Sequence, residues 1–125
     1  MLDVFLVPEI TVESNGESSP VALGENAGKS YLLTLAITKI VEQESLDVSI
    51  WGSADGQDWG NKPLTAFPQK FYQGIYELFL DLSERPEVQQ LKAKWALNRW
   101  GVGDPKPRFS FLVNLQELAP GGGRA

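Results

Sequence analysis

The chain contains no cysteine, no histidine and a single methionine among its 125 residues. Without thiols it has no disulfide framework, no thiolate metal site and no cysteine nucleophile. Without imidazole, the usual base for a nucleophilic serine and the commonest transition-metal ligand are missing as well. Basic residues are also in deficit, 11 against 16 acidic, for a net charge of −5. Nucleic acid is therefore not an expected partner, because phosphate binding relies on clustered Lys and Arg. Long hydrophobic runs are absent too. The longest, near 31–37, falls far short of the roughly 20 residues a helix needs to cross a bilayer, so no membrane span is expected. Residues 1–8 carry no positive segment and no small-residue cleavage site after an apolar stretch. They do not read as a signal peptide, which leaves the cytoplasm, or release as part of an assembled particle, as the expected location.

What is present is an ordinary globular composition. With 42% hydrophobic and 22% charged residues, neither wholesale disorder nor a fibrous repeat is expected. The length suits one domain, over 1–119, burying roughly two-thirds of the surface its unfolded chain would expose. Residues 120–125 form a Gly-rich tail with nothing to pack.

The most informative run is 46–59. Leu46, Val48 and Ile50 alternate with Asp47, Ser49 and Trp51, the period of two that marks a half-buried strand, and Asp55-Gly56 supplies the turn that closes it. The same alternation recurs at Leu33, Leu35 and Ile37, at Leu91, Ala93, Trp95 and Leu97, and at Phe109, Phe111, Val113 and Leu115. In 71–82, Tyr76, Leu78 and Leu80 fall on one side and Phe79 on the other. A first strand over 4–12 contains Pro8, which removes a ladder donor and marks an edge or a bulge. Short strands are expected at 21–23 and 64–67, with polar loops at 13–20 and 101–108. Over 86–94 the spacing of Val88, Leu91 and Trp95 also suits a helix, but the alternation continues to Leu97 and favours a strand. The expected fold is all-β: an antiparallel β-sandwich of about eight strands with little helix.

Ser53-Ala54-Asp55-Gly56-Gln57-Asp58-Trp59 resembles the Ser-x-Asp-Gly-x-x-Trp signature that follows a strand in discoidin domains (factor V/VIII type C) and the wider galactose-binding-like sandwiches. Residues 88–95 look like that family's second signature, with aliphatic and basic residues ahead of the last core positions. The chain departs from the family in lacking the disulfide that many discoidin domains carry. The resemblance implies a jelly-roll-like sandwich in which the Trp packs inward, used for binding glycans, lipids or proteins through loops rather than for catalysis.

Candidate chemistry is sparse. Gly24 to Ser30 reads Gly-Glu-Asn-Ala-Gly-Lys-Ser, one residue short of a phosphate-binding P-loop, and it leads into a strand-like pattern where a P-loop requires a helix. It reads as a turn. Asp55 and Asp58 are the candidate ligands for a weakly bound Ca²⁺, but Asp-Gly is also a common way to build a turn, and no other cofactor is expected. Glu77 and Asp81 share a strand face, where a glycosidase pair would have to converge in a cleft; they read as solvated outer positions, and no enzyme is expected.

The aromatics divide into two groups. Trp59, Trp95, Phe109 and Phe111 fit core positions. Trp51 is turned to the opposite face from Val48 and Ile50, Trp100 stands beside Arg99 ahead of a Gly/Pro loop, and Tyr72 lies near a loop start. Trp51, Trp100, Tyr72 and Arg99 are therefore the candidate binding or interface residues. Lys92 and Lys94, with Arg99, form a basic cluster whose alternation marks a solvated strand face. Two roles follow. One is a structural module that assembles with copies of itself or within a larger particle such as a virion, tail or filament. The other is a carbohydrate-binding module of the galactose-binding-like type.

Overall fold

The computed structural model describes residues 2–40, 44–70, 72–99 and 108–118. Trp100, all but Arg108 of the loop expected at 101–108, and the tail over 120–125 lie outside the described residues. The strands are β1 (Asp3–Val12), β2 (Gly16–Glu17), β3 (Val21–Ala22), β4 (Ser30–Ile40), β5 (Glu44–Ser53), β6 (Thr65–Ala66), β7 (Gly74–Asp81), β8 (Gln90–Arg99) and β9 (Phe109–Glu117). The only helical element among the described residues is a 3₁₀ turn at Gly24–Asn26.

The strands form two antiparallel sheets, the first in the order β1-β9-β4-β7 and the second in the order β2-β8-β5-β6, with β3 continuing beside β8. If β2 and β3 are taken as one interrupted strand, the described residues form eight strands paired in a nested fashion. First pairs with last, second with seventh, third with sixth and fourth with fifth, and the joints β4–β9 and β5–β8 complete each sheet. That nesting is the jelly roll, the architecture expected from the sequence.

The alternating residues explain both sheets. Leu33, Leu35 and Ile37 of β4 and Phe109, Phe111, Val113 and Leu115 of β9 point inward from the first sheet. Leu46, Val48 and Ile50 of β5 and Leu91, Ala93 and Trp95 of β8 meet them from the second, and all are buried. Each large aliphatic side chain contributes about 1.5–3 kcal/mol by leaving water. Trp95 meets Phe111 edge to face with centroids 5.5 Å apart. Tyr31 is fully buried and donates its hydroxyl to the Asn26 carbonyl, which ties the 3₁₀ turn to the start of β4. Burial in this apolar setting pushes its phenol above the ordinary range.

The segment over 86–94 resolves as a turn leading into β8, so the strand alternative is the one the chain adopts. Pro8 lies on an edge strand where the register shifts between Phe5 and Val7 and again between Val7 and Ile10, as its missing N–H requires. Two expectations change. The polar loop over 13–20 contributes a strand, β2, because Gly16 and Glu17 pair with Trp95 and Lys94. Trp59 is not in the core: it is half-buried in the connection between β5 and β6.

Candidate binding surfaces

The loop after β5 is built by its own polar side chains. Ser53 Oγ accepts the N–H groups of Asp55 at 3.2 Å and Gly56 at 2.8 Å. Asp55 Oδ1 accepts those of Gln57 at 2.8 Å and Asp58 at 2.9 Å, and Asp58 Oδ1 accepts that of Gly60 at 2.9 Å. These N–H donors, Asp58 and Gln57 foremost and then the Ser53 hydroxyl, hold the Asp55 carboxyl below its usual range. Gly56 has φ +79°, the left-handed region that favours glycine, and the Gln90 side-chain amide lies against the space a Cβ would take. The Trp59 indole then donates to the Gly56 carbonyl at 3.2 Å and closes the loop. The Ser-x-Asp-Gly-x-x-Trp run is thus a self-capping loop whose Trp serves as its clasp, not the inward core residue that the resemblance implied.

The two carboxylates proposed from sequence as calcium ligands each bind backbone N–H groups of this loop. Among the described residues, no group of three or more acidic side chains is placed to hold a metal ion.

The outer face of the second sheet carries a ladder of cations on aromatic rings. Lys92 Nζ sits 4.4 Å from the Trp59 ring centroid and 2.9 Å from Glu17 Oε1, and Lys94 Nζ sits 4.1 Å from the Trp51 centroid. The sequence placed Lys92 on a solvated face, yet it is only 8% exposed because the Trp59 loop and β2 lie across it. Its ammonium is the main reason the Glu17 carboxyl lies below the ordinary carboxylate range. Trp51 does face outward, half-buried, with its indole N–H donated to Ser49 Oγ at 2.9 Å. Arg99 ends β8, paired in register with Glu44.

The outer face of the first sheet is different in kind. Cross-strand rows place Leu112 beside Ala36 and Ile75, and Leu32 beside Phe79, with Thr34 and Glu77 between them. Ile75 is 74% exposed, Phe79 59% and, across the sheet on β1, Phe5 53%. Tyr72, from the sequence candidates, is 75% exposed just ahead of β7, and its carbonyl accepts the Tyr76 hydroxyl at 3.0 Å. Lys70 Nζ lies 4.0 Å from the Tyr76 ring centroid and joins the two sheets along this side. Glu77 and Asp81 are exposed, the latter capping the Ser83 N–H at 2.9 Å. The structure does not bring Tyr72 and Trp51 together: Tyr72 belongs to the first sheet's margin and Trp51 to the second sheet's outer face. Phe5 and Ile75 escaped sequence reading, although Phe79 was already assigned to the face opposite Tyr76.

The Gly24-to-Ser30 segment passes through the 3₁₀ turn directly into β4, with no helix to receive a phosphate. No helix among the described residues is long and apolar enough to cross a membrane. Fold and surfaces together define a jelly-roll β-sandwich with one self-capped loop, one cation-covered outer face and one apolar outer face. No protein-family model matches the chain, and no curated protein matches it either.

Proposed function

We propose that this chain is a non-catalytic structural module that assembles with copies of itself, or within a larger protein particle, through the outer face of its first sheet and the open edge of β7. The observation that carries the reading is the exposure of Ile75 and Phe79 on an edge strand, beside Leu32 and Ala36. Among the described residues β7 pairs only with β4, which leaves the outward-facing half of the backbone donors and acceptors of its eight residues along its other side. Edge strands are ordinarily guarded by Pro, Lys or a bulge; β7 has none of these, and Glu77 is the one charge near its middle. An added strand would satisfy the backbone while its side chains met Ile75 and Phe79, the mode known as β-augmentation.

The area is adequate. Four strands about 4.8 Å apart and about eight residues long present a projected face of roughly 500 Å². A standard interface removes about 800 Å² of accessible surface per partner, which a corrugated face of that projection approaches. The discoidin-like resemblance belongs to the same proposal: the antiparallel sandwich supports it, and the half-buried Trp59 departs from it.

Size-exclusion chromatography with light scattering, followed by negative-stain microscopy, tests the reading. A discrete ring, tube or filament that Ile75→Lys and Phe79→Lys dissolve is the expected result. A 13.8 kDa monomer across a wide concentration range overturns homo-assembly.

A further inference from the structure

The two sheets end on unequal edges. β1 carries Pro8 and two register shifts, while β2, β3 and β6 are two residues long each. Among the described residues only β7, Gly74–Asp81, offers a long and regular open edge. Building on the assembly reading above, we propose that this edge pairs with β7 of a second copy across a two-fold axis at Glu77, and that the two Glu77 carboxylates gate the pairing.

The backbone fixes which residues can bond outward. Just past β7 the Leu82 N–H donates at 2.9 Å to the carbonyl of Lys29, the residue ahead of β4. Successive residues of an antiparallel strand turn their N–H and C=O groups to alternate sides. Tyr76, Leu78 and Leu80 therefore bond toward β4, while Ile75, Glu77, Phe79 and Asp81 turn theirs to the open side. A two-fold axis at Glu77 sets that residue against its own copy and Ile75 against Phe79 of the second copy. Each of these pairs then exchanges both of its hydrogen bonds.

Side chains select this register over its neighbours. Moving the axis to Tyr76 sets Ile75 against Glu77 of the second copy. Moving it to Leu78 sets Glu77 against Phe79 and Ile75 against Asp81. Both oppose carboxylates to apolar groups, whereas the axis at Glu77 pairs an aromatic with a β-branched side chain on each flank. On the inner side of the strand it also brings Tyr76 to Leu78 of the second copy, two side chains left half-buried in the single chain.

The unfavourable contact is Glu77 on Glu77. Within its own sheet Glu77 lies beside Thr34 of β4, with Asn114 of β9 beyond, and neither is charged. Along the same face of β7 the other titratable group is Asp81, engaged by the Ser30 hydroxyl and the Ser83 N–H; in the pairing it faces Gln73 of the second copy. Lys70 is on the inner side, over the Tyr76 ring. No cation among these groups offsets a second carboxylate, and like charges directly opposed weaken a strand pair. Pairing is therefore linked to proton uptake and strengthens as pH falls. A two-fold contact closes on itself, so it joins two first sheets into one and doubles the apolar outer face.

Sedimentation of the full chain at about pH 7.5 and about pH 5.5, with Glu77→Gln alongside, reads the gate. The parent is expected to pair more tightly at the lower pH. Glu77→Gln should pair about two- to fivefold more tightly than the parent at the higher pH and lose most of the pH response. Oxidation of Glu77→Cys reads the register, since the chain has no other thiol and opposed Cα atoms about 5.5 Å apart lie within disulfide reach. A covalent dimer is expected from it, but not from Glu87→Cys on the exposed turn ahead of β8. Parent and Glu77→Gln both monomeric at either pH would overturn this pairing and the assembly reading together. Particles that form while Glu77→Cys cross-links no better than Glu87→Cys overturn the pairing alone. So does a Glu77→Gln variant that pairs no more tightly than the parent or keeps its full pH response.

Discussion

Replacing Lys92 with Met is the sharpest test of how the second sheet holds its loops. The substitution keeps most of the buried stem and removes only the ammonium, which contacts the Trp59 ring at 4.4 Å and Glu17 at 2.9 Å. A desolvated cation on an aromatic ring contributes about 0.5–2 kcal/mol. The ion pair adds about 0.2–1 kcal/mol, since Glu17 is half-exposed and screened. Against this stands the cost of keeping an ammonium buried, which Met removes. The expected net loss is about 1–2 kcal/mol, a fall in melting temperature of roughly 3–8 °C for a chain of this size. Urea unfolding followed by tryptophan fluorescence measures it, and a double-mutant cycle with Glu17→Gln isolates the pair, with an expected coupling of about 0.5–1 kcal/mol. The carboxyl of Glu17 is held low in the folded chain, so its contribution is complete above its ordinary value and fades as pH falls through the lowered one. The Lys92→Met variant should lose that acid dependence. Stability equal to or above that of the parent, with an unchanged acid limb, would refute the view that Lys92 clamps the Trp59 loop and β2 onto β8.

Three other outcomes are expected. Gly16→Val should destabilise by about 1–3 kcal/mol in the same urea assay, because its Cβ would press to 3.0 Å on the buried Trp95 ring. Asp55→Ala should leave the sheets intact but speed hydrogen exchange at the Gln57 and Asp58 amides that its carboxylate now holds. In the parent chain these amides should keep their protection above the usual Asp range and lose it as pH falls through the depressed value. Phe5→Ser, on the opposite margin of the apolar face from β7, should weaken any assembly less than Phe79→Lys does, as read by sedimentation at matched concentrations.

The strands were legible wherever one face of a sheet is buried. Leu33, Leu35 and Ile37 could only alternate into a core, and the continuation of the Leu91, Ala93, Trp95 pattern to Leu97 separated a strand from a helix with the same apolar spacing. The period of two says which face a side chain takes but not what lies over that face. Lys92 was assigned the correct side of β8 and the wrong environment, because the Trp59 loop and β2 that bury it come from positions 33 and 75 residues away in sequence. Trp59 was misplaced for a related reason: a Trp three residues after Asp-Gly reads the same whether it dives into the core or turns back to clasp the loop. β2 left no trace in the pattern, since two paired residues have no periodicity.

The nested pairing also dictates the order in which the molecule can be made. Among the described residues β1 pairs only with β9, and Asp3 faces Gln116, so β1 has no partner until β9 has emerged. On the ribosome β5 and β6 can zip early, then β4 with β7 and β5 with β8, while the apolar segment holding Phe5, Leu6 and Val7 waits unpaired. Folding dominated by such distant contacts is slow, on the millisecond-to-second scale, and it leaves an open strand exposed to neighbouring chains during that interval. Loss of 109–117 would do more than shorten the sandwich: it would remove the strand between β1 and β4 and leave the whole amino-terminal segment without a place to dock.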